Sequence, residues 1–186
     1  MFFKIRIYFT AIVTCLIWAL LLWDHFHGGV PRHHILANKD LPSISNWWGG
    51  FLLPLLTWFL LYRIQVRINH QKKDDAEVSG FLKKVLYGFI ISLFFGVLLS
   101  VFFSFGYPDM CGYMMLALLP IGIAFPIYRA ECLLGFVIGM TYTFGAILPT
   151  GIGTILLLLG ALLYLFLRRG ILYTLSKFAS KAAAKK

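Results

Sequence analysis

Charge is what this sequence has least of. Asp, Glu, Lys and Arg make up 13% of its 186 residues, where an ordinary globular domain carries about a quarter. Acids are the scarcer sign, seven against seventeen Lys and Arg. A fold this poor in charge cannot cover itself with polar side chains, which excludes an ordinary water-soluble domain. Cysteine is also sparse: Cys15, Cys111 and Cys132 form no Cys-x-x-Cys pair, which argues against a disulfide framework, a redox motif and a zinc knuckle. No His-Glu-x-x-His helix and no Gly-x-Ser-x-Gly elbow occurs. The apolar runs lack mid-depth Asp, Glu, His or Arg, so an ion-coupled transporter, which needs a polar relay there, is disfavoured. A carrier using backbone carbonyls freed at Pro120, Pro126 or Pro149 stays open.

What the sequence does have is hydrocarbon: 60% of it is hydrophobic and 17% aromatic. The apolar residues gather into blocks at 7–23, 48–64, 85–105, 111–128, 132–148 and 152–167. Each approaches the ~20 residues that cross a bilayer core, and none alternates as a barrel strand would. The expected fold is an all-α integral membrane protein, a bundle of about six transmembrane helices over residues 1–170. Lys4 and Arg6 before an apolar stretch resemble a signal leader, but no small-x-small site precedes Asp24, so a retained anchor is expected.

Fifteen of the seventeen cations fall at the N-terminus, in the second and fourth connections, and after the last block; only Arg32 and Lys39 lie on the other side. The positive-inside rule then sets both termini in the cytoplasm, N-in and C-in, most consistent with a bacterial inner (plasma) membrane. Partitioned this way the net charge is +11 inside and −1 outside. The excess is a topology signal and implies no nucleic-acid partner, since the basic residues lack interleaved aromatics on a polar surface. Residues 65–84 read as a charged cytoplasmic hairpin, and 171–186 as a basic amphipathic tail whose lysines meet anionic lipid.

Small residues recur every fourth position at Gly88, Ser92, Gly96, Ser100 and Ser104, again at Gly135, Gly139 and Thr143, and more weakly at Ala11, Cys15 and Ala19. Such ridges let helix backbones approach closely in lipid, within a protomer, in a homo-oligomer or against a partner protein. A pore lined by Ser92, Ser100 and Ser104 is the sharper alternative. Glu131 lies beside Arg129 at the cytoplasmic end, where an interfacial ion pair between them is expected.

The densest chemistry lies in the external loop, residues 24–48, which holds four of the five histidines and two of the three external acids. Its Trp, Ile, Leu and Pro content predicts an ordered cap between the first two helices. Asp24, His25, His27, His33, His34 and Asp40 are of the types that ligate a divalent cation, zinc foremost, with copper or iron as alternatives. Asp24 or Asp40 would then serve as general base in a metal-dependent hydrolase of a lipid-linked or membrane-proximal substrate. The competing class is a non-enzymatic subunit or carrier. There Gly28 and Gly29 expose amides and Arg32 and Lys39 supply charge for an anion or lipid headgroup, or the cap docks a protein. A plain structural role, in which the polar side chains bond the cap to itself, is the third reading.

Overall fold

Proline and glycine cut the apolar sequence into helices. In the computed structural model, which describes residues 2–34, 43–70, 75–170, 173 and 177, the chain is mostly helical: α1 Phe2–Phe26, α2 Gly49–His70, α3 Asp75–Ser104, α4 Pro108–Ala124, α5 Ala130–Phe144 and α6 Ile147–Leu162. A π-helical turn, Leu163–Leu167, carries α6 onward. Pro108 opens α4, where its missing N–H would be unpaired in any case. Pro126 closes it by forcing Phe125 into the extended region (φ −121°, ψ 147°). Gly145 ends α5 at φ +69°, a left-handed conformation that favours glycine. By contrast α2 runs unbroken through Pro54.

Among the described residues four helices are long and apolar enough to cross a membrane: Phe2–Phe26, Asn46–His70, Ser79–Ser104 and Ile147–Gly170. The fourth and fifth apolar blocks form shorter helices, α4 of 17 residues and α5 of 15. At 1.5 Å per residue these reach only about 25 and about 22 Å. Nine of the fifteen residues of α5 are buried, so this short helix is enclosed by its neighbours, chiefly α3, with α6 and α2 beside them.

The α3–α5 contact is backbone against backbone. A Cβ built on Gly96 would lie 2.7 Å from the Phe136 carbonyl oxygen, and one on Gly135 or Gly139 would strike the carbonyl of Phe89 or Leu93. Ser100 Oγ donates to the Gly139 carbonyl at 3.3 Å across the same seam. Ser104, at the end of the row, is exposed, and Ser92 faces a cleft instead, so the three serines line no common pore. Ala11, Cys15 and Ala19 are exposed; α1 packs through Val13, Ile17 and Leu21, so the weak small-residue row on α1 makes no helix contact here. Bulk explains the choice, because large aliphatic side chains fill the α1–α2 groove where α2 offers Gly50 to Leu21 and Trp18.

Threonine hydroxyls on these helices mostly bond their own backbone, with two buried exceptions. Thr14, Thr141, Thr150 and Thr154 each donate to the carbonyl four residues back at 2.6–2.7 Å. Thr57, on α2, is fully buried, and neither its hydroxyl nor that of Thr10 on α1 has a partner among the described residues.

Candidate functional site

The cap is built from the last turn of α1 and a two-stranded arm. β1 (Arg32–His34) pairs antiparallel with β2 (Ser43–Ser45), Arg32 opposite Ser45 and His33 opposite Ile44. Ser45 then starts a single 3-10 turn, Asn46–Trp48, its hydroxyl accepting from the Trp47 amide. The reversal between α1 and β1 uses Gly28 (φ +115°) and Gly29 (φ +95°), with the Gly29 amide closing on the Asp24 carbonyl at 2.9 Å. The arm is fixed to the bundle by Asn46, whose amide donates to the Pro31 carbonyl. Its side chain lies against Gly145, in contact that leaves no room for a Cβ there.

The residues expected to ligate a cation do not gather among the described residues, where no group of three or more His, Cys, Asp or Glu could hold a metal. His27 stacks on Trp23 at 3.9 Å, nearly parallel, and its Nδ1 meets the Trp23 carbonyl at 2.9 Å. A carbonyl only accepts, so Nδ1 carries a proton, and in the neutral ring it is Nε2 that holds the lone pair. His25 turns the other way, edge-on to Phe26 and to Trp47. Asp24 is half-buried, Arg32 is exposed, and open space surrounds Gly28 and Gly29. Of His33 and His34 the backbone on β1 is described; Lys39 and Asp40 lie outside the described residues. The cap's aromatic side chains compete for the histidines, a consequence of Trp23, Phe26 and Trp47 flanking them in the chain.

A second feature lies at the opposite end of the bundle. Glu131, 1% exposed in the first turn of α5, receives the Arg67 Nη2 at 2.8 Å from both carboxylate oxygens. Its partner is therefore Arg67 of α2 and not Arg129. Gly88 of α3 makes the space, since a Cβ there would sit 3.0 Å from the Glu131 side chain. Arg67 also lies over the Phe81 ring, so one buried pair ties α2, α3 and α5.

Beside that pair a cleft of about 130 Å³ opens between α3, α4, α5 and α6. Its walls are Ile91 and Phe95, Leu118 and Ile121, Leu133 and Phe136, and Leu156 and Leu157; Ser92 and Cys132 are its polar side chains. Ile127, from the α4–α5 connection, closes one end by wedging against Gly122 and Gly160. Just beyond Ile127 the Tyr128 and Tyr164 rings meet at 5.6 Å, and Arg168 lies 4.6 Å over Tyr164. Sequence reasoning did not find this group. Pro126, which stops α4 and turns Ile127 inward, was its one local signal.

The chain matches no protein-family model, no curated protein and no solved structure.

Proposed function

We propose that this is a six-span, N-in and C-in protein of a bacterial inner membrane, and that it is a non-enzymatic lipid-binding subunit or carrier. One observation carries the reading: the cleft between α3, α4, α5 and α6 is lined by aliphatic and aromatic side chains on helices of membrane-spanning composition. A groove of that lining suits a lipid hydrocarbon chain, and its two polar atoms, on Ser92 and Cys132, offer little to a polar substrate. The orientation is supported by the cations, since Arg63, Arg67, Lys83, Lys84, Arg129, Arg168 and Arg169 all belong to the end opposite the cap. Anionic lipid of the cytoplasmic leaflet is the partner of that end.

The test is photo-crosslinking in membranes with a phospholipid carrying a diazirine in its acyl chain. Label is expected on Leu118, Leu156 and Leu157, half-buried in the cleft wall, at a level above that of α1 residues such as Ile12 and Leu16, which are simply exposed. Uniform labelling of all apolar surfaces would remove the reading. In a cysteine-free background, Ser43→Cys should react with an impermeant maleimide from outside, and Gly80→Cys only after permeabilisation. The opposite result would overturn the orientation.

A second reading, a divalent-metal site in the cap, is favoured by His27. Its Nδ1–H bond to a backbone carbonyl fixes the tautomer that leaves Nε2 as a donor, an arrangement typical of metal-bound histidine. Zinc, copper and iron measured by mass spectrometry on purified protein decide it. Near-stoichiometric metal lost in both His27→Ala and His33→Ala/His34→Ala supports the site; a trace signal indifferent to these changes removes it.

A further inference from the structure

We infer that the cleft takes an anionic glycerophospholipid, its chain against Ile121 and Leu157 and its phosphate at Arg129 and Arg168. The inference deepens the lipid reading and rests on it. Its physical root is that an apolar cleft inside a membrane cannot choose its own ligand. Lipid tails are as apolar as the cleft wall, so moving a chain from the bilayer into the cleft gains packing but no hydrophobic free energy. Any selectivity must come from polar groups where the cleft meets the membrane surface.

Such groups stand at one end. Ile127 lines the cleft, and the next two residues are Tyr128 and Arg129. Across from them on the α6 continuation are Tyr164 and Arg168, joined to Tyr128 through the ring contact and the cation–π contact already described. Neither Arg129 nor Arg168 has a carboxylate partner among the described residues, in which the ion pair is that of Arg67 and Glu131. The nearby carboxylate of Glu131 is already neutralised by Arg67, so the remaining charge at this rim is positive. Arg129 holds the extended N-cap position of α5 (φ −76°, ψ 148°), and its guanidinium makes no hydrogen bond or ion pair among the described residues. Finally, Tyr164 lies in a π turn, a departure from regular helix that occurs most often at functional sites. Two unpaired guanidinium groups with two phenols beside a hydrocarbon-lined groove are complementary to one phosphodiester on one acyl chain.

The experiment is native mass spectrometry of the purified full chain after exchange with an equimolar mixture of dioleoyl phosphatidylglycerol and dioleoyl phosphatidylcholine. The two lipids share their tails and differ in net charge. Two surface cations acting on one phosphate at the interface give an expected preference for phosphatidylglycerol of about tenfold. Arg129→Gln/Arg168→Gln should reduce that preference to near parity while lipid remains bound. Arg63→Gln/Lys84→Gln, which removes as much charge from the same end but away from the cleft, should lower it by no more than about twofold. Equal retention of both lipids by the unaltered protein overturns the inference, as does an equal loss of preference in the two double variants. Ile121→Trp and Leu157→Trp, which fill the cleft from two different helices, separate the levels. If either folds and still retains both lipids, the cleft reading itself fails; if each expels both lipids, the cleft reading stands and the arginine variants alone decide the headgroup.

Discussion

A single methyl group on Gly139 should separate the α3–α5 helix pair. Built there, it strikes the Leu93 carbonyl oxygen and comes within 3.0 Å of the Val97 nitrogen and 3.2 Å of the Gly96 carbonyl carbon. Ordinary non-bonded contact lies at about 3.5–4.0 Å. All three atoms are backbone and cannot rotate away, so α3 must move bodily. Overpacking of this kind costs about 1–3 kcal/mol. The displacement also stretches the Ser100 bond to the Gly139 carbonyl, already 3.3 Å, for a further loss of about 0.5–1 kcal/mol. Against this, alanine in a helix interior gains about 1 kcal/mol over glycine. Gly139→Ala is therefore expected to lose about 0.5–3 kcal/mol. Gly151→Ala in α6, where a Cβ meets nothing within 4 Å, keeps the propensity gain and should be more stable by up to about 1 kcal/mol. Reversible unfolding in mixed micelles of increasing dodecyl sulfate content, followed by tryptophan fluorescence, measures both. Equal stabilities for the two variants would refute the assignment of α3–α5 as a backbone-contact seam.

Two further outcomes test the interior. Glu131→Gln leaves the Arg67 guanidinium without its counter-charge and should cost about 2–4 kcal/mol in the same assay, with Arg67→Met/Glu131→Met recovering most of it; a double variant as weak as the single would show that the pair's geometry, rather than its charge balance, matters. Thr57→Val removes a buried hydroxyl that has no partner, so it should raise stability by about 1 kcal/mol; a loss instead would mean that the hydroxyl bonds something in the membrane-embedded protein.

The helix blocks were legible because proline, glycine and charge mark their edges locally. Pro126 and Gly145 stop α4 and α5 by backbone conformation alone, whatever the rest of the chain does. The lengths of those two helices were less legible, since an apolar composition continues through Phe125–Ile127, where the helix does not, and through Ala146 into α6 with only a two-residue break. The four-residue spacing of Gly96, Ser100, Gly135 and Gly139 is visible in the sequence, yet the same spacing at Ala11, Cys15 and Ala19 faces outward. Spacing states that a helix can be approached closely; whether it is approached depends on what larger side chains fill on the other face. The pairing of Arg67 with Glu131 spans 64 positions, and nothing short of the packed bundle distinguishes Arg67 from the other arginines near it. The cap histidines were visible as a cluster, but stacking on Trp23 and edge contact with Trp47 separate two of them, a competition that composition does not weigh.

The two short helices bear on where such a protein can reside. In the six-span arrangement proposed above, with α5 enclosed, α4 would be the short element against lipid, and at about 25 Å it falls some 5 Å below an average bilayer core. Lipids along that flank must compress or tilt, at a cost of a fraction of a kcal/mol per ångström, while those along α3 meet a helix of 30 residues with length to spare. So arranged, the protein would present a thin side and a thick side to its annulus. A body with that asymmetry deforms the bilayer unevenly, relaxes where membranes are thin or curved, and attracts a second thin-sided body with which to share the deformation.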